Sequence, residues 1–273
     1  MATTLATPQR RATDGRLADF GNVLRSEFCK LYSIRSTFWT VFTALLSNIV
    51  LAALVALFLV SRLSTADRAT ADPVRLSLAG IHLSQIAFGV LGVLIITSEY
   101  GTGMIRATLA AVPQRRLVLT GKLVSFAATA LVAGIGSCLA AFFVFEAFLP
   151  SGGDGLKASI GDPGVLRAAV GGGLYLTLLG LLGLGLGAVI RASAGAIATL
   201  FGLLFVPTIL VSLLPQNWRT SIGPYLPMNA GDAIYSLHPE AGGLGPWSGF
   251  AVLGLYAAIA LTLGYFLIKR RDA

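Results

Sequence analysis

The chain has 273 residues, 55% of them hydrophobic and only 12% charged, with a mean hydropathy of +0.80, far too apolar for a soluble domain. Its net charge of +8, from 20 basic and 12 acidic residues, does not call for nucleic acid. Basic residues gather on the cytoplasmic side of membrane proteins, and basic side chains alone specify no sequence recognition.

Apolar runs of about 20 residues without a charge are long enough to cross about 30 Å of hydrocarbon, which makes this an all-α integral membrane protein. Residues 1–15 are small and polar and are expected to be disordered. No short apolar core with a small-residue cleavage site follows, so no secretory signal peptide is expected. The window 16–37 reads as an amphipathic interfacial helix. Within it Leu17, Phe20, Leu24, Phe28, Leu31 and Ile34 recur every three or four residues, while Arg16, Asp19, Asn22, Ser26, Lys30 and Ser33 fall mostly elsewhere. Such a helix can lie in the headgroup plane directly before the first span.

A six-span region is expected over 38–268, with spans at about 38–60, 76–97, 123–149, 168–190, 196–214 and 247–268. A polar connection, Ser61–Arg75, links the first two spans, and a turn-rich, exposed segment, Ser151–Gly164, links the third and fourth. Glu146 is expected to face the interface at the end of the third span. The fourth span is rich in glycine. Gly180, Gly183 and Gly187 are assigned to helix packing, and the last two form a small-xxx-small pair that lets two backbones approach closely. A nucleotide-binding reading of these glycines fails, because no strand precedes them and no Lys-Ser/Thr follows. Arg191–Gly195 is a minimal turn, so spans four and five form a hairpin. Pro207 is expected to kink the fifth span. The proline-rich stretch 215–246 contains a candidate interfacial or re-entrant helix around Pro227–Leu237. Residues 269–273 form a basic tail.

Six spans place both termini on one side. That side holds 14 of the 20 bases: six before the first span, four between spans two and three, Arg191 and three at the C-terminus. The split predicts cytoplasmic termini in a plasma membrane. The spans carry no charge at mid-depth and few buried polar groups, which argues against a proton or ion relay. Cys29 and Cys138 fall in different environments and give no disulfide framework. His82 and His238 stand alone, so no metal site is expected.

Between spans two and three lies the charged stretch Ser98–Lys122, with one acid, Glu99, and four bases, Arg106, Arg115, Arg116 and Lys122. Gly101, Thr102 and Gly103 break the second span's helix. Met104–Ala111 favours a short helix that Pro113 stops. The expected result is a short helix lying across the membrane plane, held by Glu99 and the arginines. No catalytic pattern accompanies it. There is no G-x-S-x-G elbow, no H-E-x-x-H and no cysteine pair at zinc spacing. The phosphate-loop pattern is also missing, since Gly121-Lys122 is followed by Leu123.

Three places in the chain jointly resemble the permease subunits of type-2 ABC exporters. Glu27, Phe28, Lys30 and Leu31, with Arg35, resemble the family's E-x-x-K-L element on its interfacial helix. Glu99, Gly101, Thr102, Arg106, Thr108, Leu109, Pro113, Arg115, Arg116 and Lys122 are similar to the loop after its second helix. The glycine-rich fourth span with Arg191, followed by Tyr225-Leu226-Pro227, is the third. The resemblance implies a non-enzymatic subunit paired with a second permease, identical or not, and with two separate ATPase subunits that bind ATP and Mg. Loop 98–122 would supply a coupling helix, and the translocation path would lie between two permeases in contact with membrane lipid. The implied cargo is lipophilic or amphiphilic: a drug, peptide or lipid, as in multidrug efflux. The rival readings are a secondary transporter working alone, which would carry an internal repeat and interrupted spans, and a non-transporting membrane anchor or sensor.

Overall fold

The structure is a computed structural model that describes residues 12–33, 35–111, 114–150, 156–238 and 242–270. Described residues contain helices and no strands, as expected where lipid cannot satisfy backbone polar groups and each segment must bond within itself. Helix α1 spans Ala12–Ser33 and α2 spans Arg35–Leu54, continued by a π-helical turn at Val55–Leu59 and a 3₁₀ turn at Val60–Arg62. The short α3 (Thr65–Thr70) and α4 (Pro73–Ser77) follow, then α5 (Ile81–Gly101), α6 (Met104–Ala111) and α7 (Arg115–Phe148). The chain continues through α8 (Val165–Ile190), α9 (Ser193–Ser212), α10 (Gln216–Ile222), α11 (Pro227–Asp232) and α12 (Pro246–Arg270). Among the described residues, six helices are long and apolar enough to cross a membrane: α2 with its continuation, α5, α7, α8, α9 and α12.

Helix α8 is the axis. About two thirds of its most apolar stretch is buried (67%), against 17% for α9 and 28% for the first span, and it packs on α5, α7 and α12. Its glycines permit this. A Cβ at Gly183 would lie 2.6 Å from the Gly89 carbonyl oxygen on α5, and one at Gly185 would lie 2.7 Å from the Leu261 nitrogen on α12. At Gly187 a Cβ would meet Ile96 at 2.8 Å, and at Gly180 it would run into the Phe126 ring on α7. From the α5 side, a Cβ at Gly92 would overlap the Gly180 carbonyl oxygen. Lipid supplies no hydrophobic drive between helices, so van der Waals contact at such short range is what holds the bundle.

Several boundaries differ from expectation. Ala12–Gly15 belong to α1 rather than to a disordered lead; residues 1–11 lie outside the described ones. About half of the stretch 98–122 is the ends of two long helices. Helix α5 runs to Gly101 and α7 begins at Arg115, so only α6 and its flanks are loop. Gly103, at φ +72°, takes the left-handed conformation that turns the chain from α5 into α6. Connection 61–75 is structured too: Ser64 caps α3, and Asp72 accepts from the backbone nitrogens of Val74 and Arg75 to cap α4. Leu76 and Ser77 therefore end α4 instead of opening a span. The segment before α8 is not fully exposed, because Leu156 is buried and the Ala158 nitrogen donates to Glu146 at 3.1 Å. Helix α9 continues through Pro207 to Ser212. Where an interfacial or re-entrant helix was expected around 227–237, α11 and a 3₁₀ turn at Ala233–Tyr235 fold inward and bury Ala230, Ile234 and Tyr235.

Candidate functional site

The inner face of α1 is Val23, Glu27 and Leu31, spaced by four residues and buried against the start of α7. Gly121 allows the approach, since a Cβ there would meet Val23 at 2.8 Å and Glu27 at 3.8 Å. Of the expected apolar stripe, Leu31 is buried and Phe20, Leu24 and Phe28 are half-buried, while the Leu17 side chain and Ile34 lie outside the described residues. The buried line is thus rotated from the one that apolar periodicity selects. The reason is that a carboxylate sits in its middle.

Glu27 belongs to a four-residue ionic cluster that joins three helices. Lys122 Nζ on α7 lies 2.8 Å from Glu27 Oε2 and 2.6 Å from Glu99 Oε1 on α5. Lys30 Nζ on α1 lies 2.8 Å from Glu27 Oε1 and 3.0 Å from the same Glu99 Oε1. Each ammonium bridges both carboxylates, so the four charges cancel. Lys122, Glu27 and Glu99 have side-chain exposures of 2%, 6% and 8%, against 30% for Lys30. Charge-assisted bonds of this length are the stronger kind, and the burial of three members makes loss of any partner costly. Burial works against the charge on Lys30, yet Glu27 and Glu99 outweigh it and hold this ammonium above its ordinary range. Glu99 Oε2 is buried and has no hydrogen-bond partner among the described residues.

Glu99, expected to hold the short helix together with the arginines, is engaged by Lys30 and Lys122. Arg106 is exposed on α6, which anchors itself with buried Ile105 while Met104 faces outward. Gly101 and Thr102 are exposed at the α5 end and Thr108 is half-buried. Pro113 and the side chains of Leu109, Arg115 and Arg116 lie outside the described residues. Arg35, at the α2 start, is exposed.

The turn between α8 and α9 docks beside the cluster. Arg191, at φ +62°, places its guanidinium 4.9 Å from the Tyr100 ring centroid, next in sequence to Glu99. Ser193 Oγ donates to Thr97 Oγ1 at 2.9 Å, one turn further into α5. Sequence reasoning missed both contacts. The available signal was a minimal turn carrying a base, opposite an aromatic at a span end.

The spans are also more polar inside than expected. Asn48 donates to Ser137 at 3.1 Å, Ser84 Oγ donates to the Ala44 carbonyl at 2.8 Å, and Tyr175 donates to Gln85 at 2.5 Å. These are cross-helix or backbone bonds of the kind that fasten membrane helices. At the end of the bundle opposite the cluster, Asp72 Oδ2 accepts from the Leu237 nitrogen at 2.5 Å. Arg167 there donates to the carbonyls of Ile234 and Ser236 at 2.8 and 3.0 Å. Burial and nearby Asp232 hold the Tyr235 phenol well above its ordinary range. Both cysteines are free, Cys29 exposed and Cys138 buried, and the described residues contain no cluster of three metal-ligating side chains.

The ionic cluster contains no nucleophile activated by a base. It ties α1 to the facing ends of α5 and α7, on either side of α6. No protein-family model matches the chain, and a comparison with curated proteins finds no match.

Proposed function

We propose that this chain is a membrane-spanning permease subunit of a type-2 ABC exporter. The observation that carries the reading is the Glu27–Lys30–Glu99–Lys122 cluster, which makes α1, α5 and α7 one mechanical unit around the short, exposed α6. Both termini are cytoplasmic, α1 lies as an interfacial helix at the plasma-membrane surface, and α6 is the coupling helix. Two copies of a separate ATPase, which bind ATP and Mg, push on α6 and α1 when they close. The ionic cluster passes that displacement to the spans, and a second permease chain completes the translocation path. The cargo is a lipophilic or amphiphilic compound. The chain itself hydrolyses nothing, because its only Gly-Lys pair, Gly121-Lys122, lies inside α7 with its lysine committed to two carboxylates.

Purification of the tagged chain from its own host in mild detergent tests this. The expected result is a stoichiometric soluble ATPase that is lost when residues 99–111 are altered. A clean preparation that transports in vesicles without nucleotide would replace the proposal with a secondary transporter. A preparation with neither ATPase nor transport would leave a membrane anchor or sensor.

A further inference from the structure

At the end of the bundle opposite the ionic cluster, α4, the end of α9, α10 and α11 enclose a cleft of about 340 Å³. Small-molecule sites begin at about this size. We infer that it binds the anionic headgroup of a phosphate-bearing amphiphile, and this inference does not depend on the exporter reading.

The charge on the walls supports an anion. Arg75 enters from α4 and Arg219 from α10, against one carboxylate, Asp232, which already accepts the Tyr235 hydroxyl at 2.5 Å. Planar guanidinium groups match phosphate oxygens two at a time. The hydroxyls that line the cleft already donate elsewhere: Thr208 to Leu204, Ser212 to Ile209 and Thr220 to Gln216 within their own helices, and Ser236 to the His238 carbonyl. They face a ligand as acceptors, so the positive charge that an anion meets is that of the arginines, with the Gln216 and Asn229 side-chain amides as further donors on the wall.

The flank of the cleft supports a tail. Val211 lines it, and from there α9 presents Ile209, Leu210 and Leu213 with more than half of each side chain exposed. Helix α9 is one of the six candidate spans, so this apolar face is acyl-chain territory. Trp218, exposed on α10 beside Arg219, marks the headgroup level, where tryptophan concentrates. A free anion would use the arginines alone. An amphiphile uses both features, with its headgroup between Arg75 and Arg219 and its chain along α9.

Trp218 provides the readout. In the full-length protein carrying Trp39→Phe and Trp247→Phe, Trp218 is the one remaining tryptophan of three. Reconstitution into phosphatidylcholine nanodiscs with brominated lipid then reports which headgroup settles beside it. Brominated phosphatidylglycerol is expected to quench Trp218 at lower mole fraction than brominated phosphatidylcholine. Arg219→Gln should reduce that preference about fivefold, the value of one base near an anionic surface, and adding Arg75→Gln should abolish it. Arg62→Gln, an exposed base at the same end but outside the cleft, should leave it intact. Because Arg219 is exposed, its variant tests the site without risk to folding. Equal quenching by the two lipids, or an equal loss in Arg62→Gln, would overturn the inference. Displacement of the lipid by millimolar inorganic phosphate would show a small-anion site and overturn its amphiphile part.

Discussion

Lys122 Nζ sits 2.6 Å from Glu99 Oε1, although 23 residues and a helix–helix connection separate the two. Almost no solvent reaches the lysine, and it makes a second bond of 2.8 Å to Glu27 on the N-terminal helix. The centre of the proposed coupling region is therefore a buried lysine that belongs equally to two carboxylates on different helices.

Lys122→Met would leave Glu27 and Glu99 facing each other with only the half-buried Lys30 between them. Removing one partner of a buried pair costs about 3–5 kcal/mol. The expected drop in thermal midpoint, followed by fluorescence in mild detergent, is on the order of 10 °C. Adding Glu99→Gln should recover much of it, because Glu27 then retains Lys30 and no unpaired charge remains. A double variant that loses the sum of the two single effects would show that the pair is not coupled.

Much of the bundle was legible in the sequence because length and charge decide what can cross a bilayer. The fourth span was expected from residue 168 and begins at Val165, and Gly183 and Gly187 do face the close approach that their spacing suggested. The helix break at Gly101–Gly103 was legible, but the span limits at 97 and 123 fall short of the ends of α5 and α7 for one reason. Glu99 and Lys122 were taken as marks of solvent, whereas each neutralises the other inside the protein. Glu27 was hidden similarly: periodicity assigns a carboxylate to the wet face, and the lysine that reverses the assignment is 95 residues away. For the outer segment the sequence left an interfacial and a re-entrant helix both open, because the inward fold rests on Asp72 and Arg167, from two other parts of the chain.

Gly183→Leu should prevent normal assembly. Even a Cβ at this position reaches 2.6 Å from the Gly89 carbonyl oxygen, a backbone atom that cannot rotate away. Overpacking on this scale costs about 1–3 kcal/mol or more. Size-exclusion profiles of a fluorescent fusion should change from one symmetric peak to aggregate. Gly202→Ala is the control, since no atom lies within 4 Å of its added Cβ, and it should be neutral or stabilising by up to about 1 kcal/mol. A normal profile for Gly183→Leu would refute the close-packing assignment.

Asp72 does two jobs with two oxygens. Oδ1 caps α4, and Oδ2 accepts from the Leu237 nitrogen and from Ser236 Oγ. Asp72→Ala should cost about 1–2 kcal/mol through the lost cap alone. It should also free the 216–238 segment, seen as faster limited proteolysis there with unchanged cleavage near α6. Uniform acceleration at both ends would mean that the whole bundle, not this tie, had loosened.

Lys30 makes the ionic cluster sensitive to alkali. Its folded-state pKa lies above the ordinary 10.5, so its stabilisation is complete below that value and is lost as pH rises through the raised one. Thermal midpoints should therefore fall more steeply above about pH 10.5 in the native chain than in Lys30→Met, which starts lower at neutral pH. Parallel curves would show that Lys30 does not carry the alkaline loss.

Arg106→Glu separates coupling from folding. Arg106 is exposed on α6 and is not part of the ionic cluster, so reversing its charge should change stability by no more than about 0.5 kcal/mol. If α6 is the element that an ATPase grips, the same change should weaken co-purification of the ATPase by about tenfold and stop nucleotide-driven transport, with the permease still monodisperse. Lys122→Met is expected to lose both properties, since it loosens the spans as well as the contact. The two variants together therefore distinguish a docking surface from its support. If Arg106→Glu retained full ATPase binding and transport, α6 would not be the coupling helix, and the cluster would be left with the structural role of fastening α1 to the bundle.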